Sequence, residues 1–202
     1  MKALSGKSEN EIQKRQTLLD EGRLMCYSEG LLSLRLDSVA TAAGISKRTL
    51  YNYYGTRTSF IAAVIDFDGV SWREWFFDAI REQADRPEAR LRAFFTTLAH
   101  WSQSRGFQGC LFARAFYLHE TPPTEIATVV HGHIGHIRAF LRNNARKAGV
   151  EQGDTVASCL LLPALTVLSG VGHRVDNRPG LRLAELADAL LSAQKIQWDS
   201  RS

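Results

Sequence analysis

Lys47, Arg48, Thr49, Tyr51, Asn52 and Tyr53 crowd hydrogen-bond donors into one short stretch, and no Asp or Glu occurs between Ser38 and Ile65. Cationic donors at this density bind phosphates by releasing condensed counterions, while Arg, Lys and Asn also match the edges of bases in the major groove. Elsewhere the chain offers weaker chemistry. Cys110 follows Gly106 and Gly109, and a thiol that opens a helix has a lowered pKa. His131, His133 and His136 invite a metal reading. On a helix, however, His131 points ~200° away from His133. No nearby Cys or acid completes a ligand set, so neither a metal nor a cofactor is expected. Trp72, Trp75, Phe76, Phe77, Trp101, Phe107, Phe112, Phe116 and Tyr117 supply enough rings either for an ordinary core or for the lining of a ligand cavity. The candidate ligand-binding set is Trp72, Phe76, Trp101, Phe107, Cys110, Phe116 and His133. No GxSxG, GxGxxG, Walker or HExxH motif occurs, so an enzyme is not expected.

The donor-rich stretch needs a frame, and the residues around it provide one. Val39, Ala40 and Ala43 give a short helix an apolar side. Gly44 suits the left-handed turn that ends it, and Ile45 can fill the angle between two helices. Ser46 is a good N-cap. Leu50 and Tyr54, at i and i+4, give the second helix a buried side and leave Lys47, Arg48, Tyr51 and Asn52 to project outward. Gly55 permits another break, and Thr56 caps a helix starting near Arg57. The pattern is a helix-turn-helix whose second helix approaches DNA, with Ser46, Lys47, Arg48, Thr49, Tyr51, Asn52, Tyr53 and Arg57 as the contact residues. Thr49 and Arg57 are assigned to the backbone and the others to bases or phosphates.

These residues resemble the TetR family, the tetracycline-repressor-like transcription regulators. The resemblance rests on Val39-Ala40, Ala43-Gly44-Ile45-Ser46, Thr49-Leu50-Tyr51, Tyr53-Tyr54 and Arg57, and runs without a gap from Leu18 to Phe60. Departures are Arg35-Leu36 where the family has Ser or Thr, Arg57 for its Lys, and Thr58 for an acid. The resemblance implies a sequence-specific regulator, a homodimeric repressor released from a pseudo-palindromic operator by an unknown small-molecule effector. It also implies that the last two large helices pair with those of a twofold mate. Gly109-Cys110-Leu111 resembles one subgroup, some of whose members respond to thiol-reactive compounds. Two alternatives stay open: a thiol sensor acting through Cys110, and a DNA-binding dimer with no effector.

The chain has 202 residues, is 45% hydrophobic and carries a formal net charge of +4. Residues 1–60 hold nine basic against six acidic side chains, so the basic excess sits with the helix-turn-helix. The N-terminal stretch lacks an apolar segment, and the longest apolar run, Cys159 to Leu165, is too short to span a membrane. A cytoplasmic protein is expected. Three cysteines without a CxxC spacing argue against a disulfide framework.

The expected fold is all-α. Residues 1–56 form an N-terminal arm (Met1 to Ser8) and a three-helix DNA-binding head, and residues 57–202 form an effector-binding and dimerisation body. The first helix is read from Glu9 to Ser28. The fourth runs from Arg57 toward Asp85 with a weak point at Gly69. Pro87 opens a fifth, Leu111 to His119 is a short helix, and Thr121 to Thr124 is a loop. A long helix follows to Ala148. Asp154 caps the next, which Pro163 kinks. Arg178-Pro179-Gly180 is a turn, and Leu183, Leu186, Leu190 and Ala193 stripe the last helix.

Overall fold

A computed structural model describes residues 2–118 and 122–199, so Met1, part of the predicted Thr121 loop and the helix end at His119 lie outside it. Its helices are α1 (Lys2–Glu29), α2 (Leu36–Ala42), α3 (Lys47–Tyr54), α4 (Arg57–Gln83), α5 (Pro87–Ser102), α6 (Leu111–Leu118), α7 (Thr124–Lys147), α8 (Gly153–Leu168) and α9 (Pro179–Asp199). Short 3-10 turns at Leu31–Ser33 and Val171–Arg174 complete the order, and no strand occurs among the described residues. The stretch read as an arm is helical from Lys2 onward and continues α1.

The head forms around α1. Leu18, Leu34, Val39 and Leu50 are fully buried, and α4 enters with Phe60 and Val64. A Cβ on Gly22 would come within 2.7 Å of Val64, so α1 and α4 touch where only glycine fits. The turn between α2 and α3 is a Schellman motif: Gly44 has φ 63°, its N–H donates to Thr41 O, and the Ile45 N–H donates to Ala40 O. Leu50 is buried and Tyr54 half-buried while Lys47, Arg48, Tyr51 and Asn52 are exposed, the arrangement that the i, i+4 spacing predicted.

In the body, α5 packs on α9, and α7 packs on both α4 and α8. Pro87 occupies the first turn of α5, where its missing N–H costs nothing. Four expectations change. Helix α4 runs through Gly69 without a break, because Gly69 faces His133 of α7. A Cβ there would sit 2.6 Å from the imidazole. Asp154 does not cap α8; Gln152 stands at the cap, and Asp154 in the first turn pairs with Arg146 at 2.5 Å. Pro179 and Gly180 are not a free turn but the first residues of α9. Finally, α9 buries Leu183, Ala187 and Leu191, and leaves Leu186 47% exposed. The buried stripe is therefore rotated from the predicted one.

Candidate functional site

Helix α3 is held at both ends by local chemistry. The Ser46 hydroxyl accepts from the Thr49 N–H at 3.1 Å, as an N-cap should, and lies 2.8 Å from the Thr49 hydroxyl. At the other end Gly55 has φ 72°, and its N–H donates to Tyr51 O. The inner side is fixed by Leu50 and by Tyr54, whose ring packs edge-on against Phe60 at 4.9 Å. Ser46, Lys47, Arg48, Tyr51 and Asn52 are exposed together, and Thr49 is half-buried beside its cap.

Two of the predicted contact residues have internal duties. Tyr53 is half-buried under the Arg15 guanidinium of α1, 4.3 Å from the ring centroid, and so joins α3 to α1. Arg57 donates from Nε to Leu34 O at 2.9 Å and from Nη2 to Leu32 O at 2.7 Å. It thereby clamps the start of α4 onto the link between α1 and α2. Two of its five N–H donors are thereby directed inward, and the remaining donors on this exposed residue are left for a backbone contact. Lys47 meets the Asp37 carboxylate at 2.7 Å, a contact across the α2–α3 turn that sequence spacing did not suggest. Both partners are exposed, so the pair is weak and a phosphate can displace the carboxylate.

The body holds the second set of candidates. Trp72 stacks on Phe76 at 4.7 Å and lies 5.7 Å from Trp101 and 5.6 Å from Phe112. Phe76 and Cys110 are sealed, and Trp72 is nearly so. These rings fill space against one another. His133, also buried, stacks on Phe112 and bridges two elements: Nδ1 accepts from Arg73 at 2.6 Å, and Nε2 donates to Asp66 at 3.1 Å. Burial, with the Arg73 charge beside it, lowers the His133 pKa below the usual histidine range. Its neighbours His131 and His136 are exposed.

Gly109-Cys110-Leu111 has a structural explanation. Gly109 has φ 75°, and a Cβ there would collide with the carbonyl of Leu168. The Cys110 N–H donates to that carbonyl at 2.8 Å, so the strand of chain before α6 is pinned to the end of α8. The Leu111 N–H donates to the Asp68 carboxyl at 3.0 Å, which caps α6 from α4. Cys110 is buried, and burial raises its thiol pKa well above the usual value. That opposes the thiolate a reactive cysteine requires. Cys26 is likewise pushed up to about 12 by burial.

Asp68 of α4 ties the end of α1 to the start of α6. Its carboxyl lies 2.9 Å from the hydroxyl of Tyr27 at the end of α1, and that hydroxyl is also 3.0 Å from Gly109 O. One phenol proton cannot serve both acceptors. Burial raises the Asp68 pKa, although the Leu111 N–H and the Tyr27 hydroxyl oppose the shift. In the protonated form Oδ1–H donates to Tyr27, Tyr27 donates to Gly109 O, and Oδ2 accepts from Leu111. Every polar atom is then served.

Beside this junction lies an open cavity of about 800 Å³, bounded by Tyr27, Phe107, Arg114, Tyr117, His173 and Arg174 among others. Of the predicted ligand residues, Phe107 alone borders it. Phe107 packs edge-on against Trp101 at 4.7 Å and lies 5.1 Å from His173, so it separates the aromatic core from the cavity. Phe116 is on the same helix as Arg114 and Tyr117 but is not in the lining. The sequence did not single out Tyr27, Arg114, His173 or Arg174.

A helix-turn-helix followed by six further helices gives the described residues an all-α architecture. No protein-family model matches the sequence, and no curated protein matches it. Solved structures do. A TetR-family transcriptional regulator from Streptomyces coelicolor superimposes with a TM-score of 0.77 at 20% identity, covering 89% of this chain and 95% of that one. A TetR-type transcriptional regulator from Streptomyces avermitilis gives a TM-score of 0.69 at 21% identity, covering 87% and 98%. AibR, solved with isovaleryl coenzyme A and operator DNA, gives 0.58 at 15%, covering 77% and 85%. The chain has the all-α fold of the TetR-family transcriptional regulators. No helix among the described residues is long and apolar enough to cross a membrane.

Proposed function

We propose that the chain is a cytoplasmic, homodimeric transcriptional repressor that binds a pseudo-palindromic operator and is released by a small-molecule effector. The observation that carries the DNA-binding part is the outer face of α3. Lys47, Arg48, Tyr51 and Asn52 project from it together behind a Ser46-capped start, and the helix contains no acid. Two such helices related by a twofold axis would enter successive major grooves. Asn52, Arg48 and Tyr51 then reach base edges, while Lys47, Ser46 and Thr49 meet the backbone. Tyr53 and Arg57 act chiefly by holding α3 and α4 in place.

The twofold partner is supported by the outer faces of α8 and α9. Cys159 and Leu162 on α8 and Leu186 on α9 are exposed, on the two helices that follow α7. A second copy would cover these apolar side chains. The effector is supported by the body cavity, whose wall includes Tyr27 of the head. A ligand that prefers one head position shifts the population of DNA-competent dimers by its differential affinity. That cavity favours the effector-responsive reading over a dimer with no ligand.

The test is anisotropy titration of labelled duplexes across a salt series. Lys47→Ala should weaken every duplex alike and reduce the salt slope by about one. Asn52→Ala should instead change the ranking of duplexes at its contacted base, by about 1–3 kcal/mol. If Asn52→Ala left the ranking intact while Lys47→Ala altered it, the assignment of roles would be reversed.

A further inference from the structure

Arg114 and Arg174 come from different elements, α6 and the 3-10 turn after α8, yet both border the same cavity. Neither has a carboxylate within 4 Å among the described residues, and no acidic residue is part of the described lining. Elsewhere arginines are commonly paired, as in Arg15–Glu11, Arg23–Asp20 and Arg146–Asp154. Two guanidiniums on one concave wall, neither in contact with a carboxylate, create a positive potential that Asp68, behind Tyr27, opposes only from beyond contact distance. His173 adds a second signal. Its Nε2 is 3.0 Å from Ser102 O, while Nδ1 is buried and has no hydrogen-bond partner among the described residues. With Nε2–H donating to the carbonyl, Nδ1 is an acceptor, so a hydroxyl or N–H on the body of a ligand, not its anionic group, would recover the cost of leaving it unpaired.

The rest of the lining is aromatic and aliphatic. Phe107, Tyr117, Leu118 and Val171 offer a surface for an apolar body, and about 800 Å³ is a volume typical of small-molecule sites. We propose that this cavity binds an organic anion, a carboxylate, sulfonate or phosphate carried on an aromatic or acyl body. The anionic group lies between Arg114 and Arg174, and the apolar body lies along Phe107 and Tyr117. Tyr27 gives the site its consequence. It belongs to α1 of the head, its ring faces Arg114 at 5.7 Å, and its hydroxyl joins the Asp68–Gly109 junction. An anion that draws Arg114 inward removes a cation from the Tyr27 ring, so occupancy is felt at the end of α1. This consequence rests on the reading of the chain as an effector-responsive DNA binder; the anion site itself does not.

The probes are 8-anilinonaphthalene-1-sulfonate and its uncharged counterpart N-phenyl-1-naphthylamine, titrated by fluorescence into the full chain. The sulfonate should bind saturably. Arg114→Gln and Arg174→Gln should each raise its Kd about tenfold, as loss of a charge-assisted hydrogen bond does, with little change for the neutral probe. Arg174→Lys should keep part of the affinity that Arg174→Gln loses. Gln108→Glu keeps both arginines and the shape of the lining while adding a carboxylate, and it too should weaken only the sulfonate. Circular dichroism melts identify any arginine variant that has lost its fold, in which case Gln108→Glu decides. Equal binding of the two probes, or sulfonate binding indifferent to Gln108→Glu and to the folded arginine variants, overturns the proposal. Duplex binding is measured on the same samples. A protein that binds the sulfonate in this arginine-dependent way but binds no duplex supports the site and sinks the DNA-binding reading.

Discussion

Asp68 is the residue at which α1, α4 and α6 are joined by hydrogen bonds. Its raised pKa gives it a definite sign. The folded chain keeps this proton to higher pH than the unfolded chain does. The stabilisation is therefore fully present below the unfolded value of about 4, and it is lost as the pH rises through the folded value. Above that folded value the carboxylate is the form that fits the junction less well. Asp68→Asn supplies a neutral donor toward Tyr27 and an acceptor for Leu111 without titrating. It should therefore raise the melting temperature more at the alkaline end of a pH series than at the acid end, as thermal unfolding across the series would reveal. Asp68→Ala leaves the Leu111 N–H and the Tyr27 hydroxyl short of a partner, and should cost about 1–3 kcal/mol at either end. A uniform loss in both variants would mean that the carboxylate is needed charged. Nothing in the spacing around Asp68 announces this role, because its partners lie 41 and 43 positions away. The caps at Ser46 and Thr56 were legible because each is completed within three residues.

Helices carry their own record of legibility. The α2–α3 turn is encoded locally, by Ala-Gly-Ile-Ser and a left-handed glycine, and sequence and structure agree there. Gly69 was misread for the opposite reason. In isolation a mid-helix glycine is a weak point. In the folded chain it is the surface against which α7 lays His133, so the helix gains a close packing contact where its intrinsic propensity is poorest. Gly69→Ala should lower stability by about 1–3 kcal/mol despite the better helix propensity of alanine. Combining it with His133→Ala, which removes the obstructing ring, should recover part of that loss in a urea-denaturation cycle. Additive losses would place the glycine's role elsewhere. The rotated stripe of α9 has a related cause. A helix with leucines on more than one side does not reveal which side its neighbours cover. Here α5 and α8 cover the side holding Leu183, Ala187 and Leu191.

At the scale of the whole molecule, the aromatic residues show how composition anticipates a core more readily than a cavity. The rings of Trp72, Phe76, Trp101 and Phe112 were recognisable as a cluster, but whether a cluster encloses space depends on how the helices set their distances. The space lies on the far side of Phe107, bordered by residues from α1, α6 and the links around α5 and α8 that no periodicity connects. The exposed apolar faces of α8 and α9 carry a separate prediction. Leu162→Glu together with Leu186→Glu should shift the chain from dimer to monomer in light scattering at micromolar concentration, and weaken operator binding with it. A chain that is monomeric before substitution would remove the twofold arrangement from the account.

The central claim is that the face of α3 reads duplex DNA in two symmetry-related halves. Footprinting of the purified chain on the intergenic DNA beside its own gene tests it most directly. The account predicts a protected pseudo-palindrome whose half-site centres are about one helical turn, or a multiple of it, apart. Protection should disappear with Lys47→Ala and Arg48→Ala combined, and as salt is raised from about 50 to 200 mM. Absence of protection at the lower salt, or protection indifferent to the loss of both cations, would contradict it.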